Sequence, residues 1–185
     1  MTNRIDTLPG FRIRPALPAD VPEIRYLHHA SLWCLATAAY TPLQIDALIR
    51  RRGTLDRDLV DGGTYYLVEI GGEIAGCGGW SGVNRLEGHA PAPMPDGVAL
   101  IRAVYVHPKW ARRGVGTRLM RHVEAQAVRA GRQRAELLAT LTGVPLYASL
   151  AYADCGTVRI DLGAVELPAV RMRKMFMVPR AAAAA

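Results

Sequence analysis

The chain is poor in the residues that would mark it as secreted, metal-bound or membrane-embedded. Cys34, Cys77 and Cys155 stand far apart in 185 residues. An odd count without close pairs argues against a disulfide framework or a zinc site and for three buried thiols in a reducing compartment. No metal is expected. Half the chain is hydrophobic, yet no run approaches the ~20 apolar residues of a membrane span. The start, Met1-Thr2-Asn3-Arg4-Ile5-Asp6, has no apolar signal core. A cytoplasmic protein with no membrane partner is expected. Lysine is nearly absent, with only Lys109 and Lys174. No Gly-Lys-Ser/Thr occurs, which excludes a nucleotide P-loop. There is no internal repeat, and the length suits one domain with a sizeable core.

What is abundant is arginine, which carries almost all of the net charge of +7. The one tight cluster, Arg50-Arg51-Arg52, ends a helical pattern, where cations suit the helix dipole and need no partner. That disfavours nucleic acid and leaves a small, highly anionic ligand as the better reading.

Residues 99–131 point to where such a ligand would dock. A mostly apolar run, residues 98–106, ends at His107-Pro108. The turn Arg112-Arg113-Gly114-Val115-Gly116-Thr117 follows. A helical pattern then places Val115, Leu119, Val123 and Ala127 on one face. Strand, glycine turn and helix aim free backbone N–H groups and the positive helix end at one spot, which suits a pyrophosphate. Gly114 and Gly116 let phosphate oxygens reach the backbone without meeting a Cβ, and Arg112, Arg113, Arg118 and Arg121 lie where the charges would dock. A dinucleotide fingerprint needs a third glycine where Leu119 stands. Downstream of a strand-like run, residues 135–141, comes Thr142-Gly143-Val144-Pro145-Leu146-Tyr147, closing on Ala151-Tyr152.

These residues resemble the GNAT superfamily of acyl-CoA-dependent N-acetyltransferases. Val106-His107-Pro108 and then Ala111-Arg112-Arg113-Gly114-Val115-Gly116 match its motif A. Thr142-Gly143, Leu146-Tyr147 and Ala151-Tyr152 match its motif B. Phe11-Arg12-Ile13-Arg14-Pro15-Ala16 with Asp20 resembles its opening strand and helix cap, so the likeness spans roughly residues 11 to 176. Ala111 replaces the usual Gln or Arg, Thr142 a common Asn, and Ala151 a common Gly. None of these changes removes a backbone donor.

The patterning gives a strand at 11–16, a helix over 19–37 and a second helix capped by Thr41 and ending near Arg51. A hairpin follows, 65–70 and 73–80 around Gly71-Gly72, then a loop at 84–97 and the strand, turn and helix above. A strand at 135–141, a helix at 144–150, and strands at 153–161 and 166–176 complete it. The fold class is α/β (α+β): a mixed, mostly antiparallel sheet of about seven strands with helices on both faces. The resemblance implies that the fourth and fifth strands splay, and that residues 1–178 form one N-acetyltransferase domain with a flexible tail at 179–185. Dimerisation is common in the family.

The resemblance also implies the chemistry. Acetyl-CoA is the co-substrate. It is held by Val104, Tyr105 and Val106 along the fourth strand, by Arg112, Arg113, Gly114, Val115, Gly116 and Thr117 in the phosphate loop, and by Thr142. A primary amine attacks the thioester directly, a backbone N–H near Val104 meets the oxyanion, and Tyr147 protonates the leaving thiolate. The competing reading of Tyr147 is a core tyrosine whose hydroxyl is tied to backbone. No general base is singled out among Glu69, Glu73, Asp96, His28, His29 and His107. Trp33, Tyr40 and Trp80 fit an acceptor pocket or a core equally well. The acceptor is expected to be a small-molecule amine. A protein or peptide amine, and a non-catalytic acyl-CoA sensor, are the alternatives.

Overall fold

The computed structural model describes residues 10–52, 55, 57–84 and 92–177. In chain order these are β1 (Arg12–Pro15), a 3-10 turn (Pro18–Asp20), α1 (Val21–Ser31) with a π-helical continuation (Leu32–Ala36), α2 (Pro42–Arg52), α3 (Arg57–Asp61), β2 (Tyr65–Ile70) and β3 (Glu73–Ser81). Then come β4 (Val98–Val106), α4 (Val115–Arg129), β5 (Arg134–Thr140), α5 (Val144–Ser149), β6 (Ala153–Asp161) and β7 (Glu166–Met175). A two-residue ladder pairs Val83–Asn84 with Ala92–Pro93, and all of it but Val83 lies in the stretch expected as loop; residues 85–91 of that stretch and the expected tail fall outside the described residues, as does the extreme N-terminus.

Local chemistry sets several boundaries. Thr41 and Gln44 form a reciprocal cap: Gln44 N–H donates to Thr41 Oγ1 and Thr41 N–H to Gln44 Oε1. Gly71 and Gly72 both have positive φ, 59° and 85°, as a tight hairpin between β2 and β3 requires. The helix expected over 19–37 is a 3-10 turn, an α-helix and a π turn in series. The five-residue α3 was not anticipated, being too short to show a period.

The seven strands lie in the order β1-β2-β3-β4-β5-β7-β6. Every pairing is antiparallel except β4 with β5. One face is covered by α4, whose Val115, Leu119, Met120, Val123 and Ala127 pack on Tyr66, Val68, Ile101, Ala135 and Leu137. Full burial of each large side chain contributes about 1.5–3 kcal/mol. The other face is covered over β2 and β3 by Ile24 and Leu27 of α1 and Leu59 and Val60 of α3, against Tyr65, Leu67 and Cys77. The π turn and α2 close over Leu162 and Leu167. One expectation is corrected: only Cys77 is a buried thiol, whereas Cys34 and Cys155 are free and exposed. Spacing excludes pairing but cannot show which way a side chain faces.

Candidate active site

Hydrogen bonding between β4 and β5 stops early. The strands pair only through Val98–Arg134, Ala99–Ala135 and Leu100–Glu136. Beyond Leu100 each keeps its outer neighbour, β3 for β4 and β7 for β5, so the sheet opens into the expected splay. On β3, Cys77 and Gly79 are two residues apart; their partners on β4, Tyr105 and Arg102, are three apart. The extra residue is a β-bulge. Within it Ala103 has φ 50°, a left-handed conformation that costs a non-glycine residue about 1–3 kcal/mol and persists only when its surroundings hold it.

The glycines of β3 make room for this bulge. A Cβ at Gly78 would lie 2.9 Å from Val104 Cγ2 and 3.2 Å from Val104 Cα. At Gly79 it would lie 2.3 Å from Thr64 O and 2.8 Å from Tyr65 Cδ2, and at Gly76 2.8 Å from Val115 Cγ1. Val104 and Val106 pack into the α4 side of the sheet. Tyr105 points the other way, with its ring 4.1 Å from that of His28. The three residues expected to meet the pantetheine therefore share one edge, two of them anchored below the sheet and one above.

At the end of β4 a 3-10 turn, Pro108–Trp110, leads into the phosphate loop. His107 Nδ1 accepts from Lys109 N–H at 3.2 Å, so this histidine is structural. Arg112 and Gly114 both adopt positive φ, 59° and 90°. The first backbone hydrogen bond into α4 runs from Arg118 N–H to Gly114 O at 3.0 Å. Among the described residues no backbone carbonyl accepts from the N–H groups of residues 112–117, and α4 has no side-chain cap. A run of unspent donors at the start of a fifteen-residue helix is an anion cradle. Gly116 needs its missing side chain for a different reason from the one its position suggests. A Cβ there would meet Leu146 Cδ2 at 3.0 Å and Val106 Cγ2 at 3.5 Å. The bare Cα lets Leu146 of α5 pack close against the start of α4. Arg113 stacks over the Trp110 ring at 5.4 Å, with Lys109 at 5.3 Å; Arg112 and Thr117 bracket the loop, exposed and half-buried.

Across the splay, Thr142 is exposed and Tyr147 is buried on α5. A Cβ at Gly143 would lie 3.2 Å from Tyr147 Cε2, so Gly143 makes room for the ring. That ring meets Tyr152 edge-on at 5.7 Å. No hydrogen bond ties the Tyr147 hydroxyl to any described residue, and it is not among the buried polar atoms sealed from solvent. The competing reading, a core tyrosine spent on backbone, is therefore not what the fold contains. Burial, and then the nearby Tyr105, push the Tyr147 phenol up. It stays protonated at neutral pH.

The acid–base candidates are dispersed. Glu69 is bound by Arg12 and Arg14, and Arg14 also grips Asp20 at the β1 edge. Glu73 pairs with Lys109 at 2.6 Å, which holds its carboxyl low. Asp96 is exposed ahead of β4, at the end opposite the bulge, and His29 is exposed on α1. His28 is wholly buried: its Nε2 lies 2.9 Å from Tyr65 Oη and 3.2 Å from Cys77 Sγ. Of the aromatic candidates, Tyr40 is a strut, donating to Pro168 O and accepting from Leu141 N–H. Trp80 is buried under Arg132 and Trp33 is exposed. The residues that sequence reasoning missed are Tyr65 and the β3 glycines. The glycines carried a signal, because glycine inside a strand marks a close backbone approach.

With this geometry in place, comparison with known proteins identifies the class. The family described as Acetyltransferase (GNAT) family matches residues 29–152. The chain belongs to the GNAT family of acetyltransferases and is an acyltransferase. None of the curated proteins matches it in sequence. Among solved structures, a GCN5-related N-acetyltransferase from Rhodopseudomonas palustris superposes with TM-score 0.73 at 19% identity, over 92% of this chain and 98% of that one. The PaiA N-acetyltransferase from Thermoplasma acidophilum, solved with coenzyme A, gives 0.66 at 13% identity over 90% and 99%. A GNAT acetyltransferase from Brucella melitensis, solved with acetyl-CoA, gives 0.54 at 23% identity over 77% and 82%. No described helix is long and apolar enough to cross a membrane.

Proposed function

We propose that this chain moves the acetyl group of acetyl-CoA to the primary amine of a small molecule by direct attack. One observation carries the reading: α4 opens on a run of N–H groups that no described backbone carbonyl takes, beside strands β4 and β5 whose pairing stops at Leu100–Glu136. The donors of residues 112–117 suit the pyrophosphate, and the open edge of β4 suits the pantetheine as an added strand.

The neutral amine nitrogen attacks the thioester carbon, and a C–N bond forms as the carbonyl oxygen takes up charge. The Val104 N–H donates to that oxygen. The C–S bond then breaks, and the thiolate takes the Tyr147 proton. The proton shed by the amine passes through water to the phenolate and restores the phenol. A buried phenol is a weaker acid than a free one, so the Tyr147 proton moves only as the C–S bond breaks and thiolate charge develops.

The test is a thermal-shift series with acetyl-, succinyl- and free CoA, followed by mass spectrometry of products from a panel of small amines and peptides. Stabilisation by acetyl-CoA and acetylation of a small amine are expected. Acetylation of peptides alone would transfer the reading to a protein acceptor. Binding without release of the free CoA thiol in the presence of any amine would leave a sensor.

A further inference from the structure

We infer that Tyr65 and His28 are positioning residues for acetyl transfer, because they hold the Ala103–Val104 peptide turned so that its N–H faces the splay. The inference rests on the proposed role of the Val104 N–H. Tyr65 is fully buried on β2, and its ring lies against Gly79, where a side chain would collide with it. From there its hydroxyl passes across the α1 face of β3 and donates to Ala103 O at 2.7 Å. A trans peptide is planar, with its C=O and N–H on opposite sides, and no described peptide is cis. Drawing Ala103 O toward β2 and β3 therefore turns the Val104 N–H toward β5, where the ladder is open. Ala103 and Val104 are the two residues that the β3–β4 register skips, opposite Gly78 alone, so the regular ladder is broken at this peptide.

His28 completes the arrangement. Tyr65 has one hydroxyl hydrogen, and Ala103 O takes it. The contact of 2.9 Å between His28 Nε2 and Tyr65 Oη must then run the other way, with Nε2–H donating to the phenol oxygen. The imidazole is wholly buried between α1 and the sheet, and its ring lies on Tyr105. A buried imidazole holding a buried phenol fixes both side chains, and with them the left-handed Ala103. The other groups facing this pair are the Cys77 thiol and the Tyr105 phenol, both kept neutral by burial. The arrangement reads out as the direction of one backbone donor, which no side chain in the splay reports.

The test is the infrared stretch of the thioester carbonyl of acetyl-CoA, carbon-13 labelled at that position, bound to the parent and to Tyr65→Phe. The stretch should fall to lower frequency on binding the parent and return part-way in Tyr65→Phe. Turnover with an accepted amine should drop on the order of tenfold, less than the 10²–10³ of deleting an oxyanion donor outright. The acetyl-CoA dissociation constant should stay within about twofold, since uniform binding is untouched. If the parent shows no shift on binding, the Val104 reading fails. If the parent shifts and Tyr65→Phe shifts equally at equal turnover, the positioning inference alone is overturned. Should Tyr65→Phe not fold, His28→Phe and His28→Gln carry the same measurement. Glutamine can donate to the phenol and should restore the shift, and a failure of glutamine to do better than phenylalanine overturns the inference.

Discussion

The two lips of the splay are built on different principles. The β4 lip works through backbone: a bulge, a left-handed alanine, three glycines opposite and a buried phenol gripping one carbonyl. The β5–α5 lip presents a side chain, Tyr147, whose ring has room beside Gly143 and whose hydroxyl is bonded to no described residue. The first lip is over-determined and the second is left open. In the proposed mechanism, the donor that must not move is the one held by the fold, and the group that gives up a proton is the one bonded to no described residue.

The largest effect should come from the open lip. Tyr147→Phe removes one oxygen and keeps the ring. Turnover should fall by about 10²–10⁴, the range for general acid–base catalysis, while acetyl-CoA binding by calorimetry and the melting temperature barely change. Parent-level turnover on an accepted amine would end the acid assignment and erase the contrast between the lips.

The β4 lip should answer in stability. A Cβ at Gly79 collides with the Thr64 carbonyl, which has nowhere to go. Gly79→Ala should cost about 3 kcal/mol, the upper end for overpacking, as read by denaturant unfolding. Gly143→Ala meets Thr140 Oγ1 at 3.1 Å and the Tyr147 ring edge at 3.2 Å, tight contacts but far looser than the 2.3 Å at Gly79. It should cost less stability and lose proportionally more turnover. Equal stability costs at the two glycines would mean that both lips are packing features alone.

Alkaline pH sharpens the same contrast. Burial raises Tyr65, Tyr105 and Tyr147 above the usual phenol value. A raised folded-state value means that the unfolded chain releases its protons first, near pH 10. This stability is therefore complete below about pH 10 and is lost as pH rises further. The melting temperature should fall as pH rises above about 10, more steeply in the parent than in Tyr65→Phe, which has one fewer buried phenol to ionise. A parallel decline in the two proteins would show that Tyr65 is not a sealed, neutral donor.

The lips also differ in how much of them the sequence discloses. The strand, turn and helix around Arg112-Arg113-Gly114 and the Thr142 to Tyr147 run are legible because their chemistry demands residue types at fixed spacing. The same holds for the hairpin at Gly71-Gly72 and the cap at Thr41, where backbone geometry restricts composition. The bulge is illegible. Alanine is an ordinary strand residue, and nothing local announces φ 50° at Ala103; the cause sits 38 residues upstream at Tyr65 and across the sheet at Gly78 and Gly79. Gly116 shows the converse. Its place in the loop was legible, yet the reason for its missing side chain is Leu146, thirty residues on.

The smallest expected effect separates backbone from side chain within the phosphate loop. If the N–H groups of residues 112–117 hold the pyrophosphate, the arginines around them add only screened attraction. Arg112 is exposed, and Arg113 is drawn onto Trp110. Arg112→Ala is the cleaner probe, because alanine keeps the strain of the positive φ where glycine would relieve it. Acetyl-CoA affinity should fall by about two- to fivefold at low salt, the size of an exposed ion pair, and the gap from the parent should close as ionic strength rises past ~0.15 M. Arg113→Ala should cost less, since its guanidinium is already engaged with the indole. A loss of a hundredfold or more at either arginine would reverse the argument. The loop would then be a side-chain clamp, the helix start merely its scaffold, and the backbone logic of the β4 lip would stop at the end of the strand.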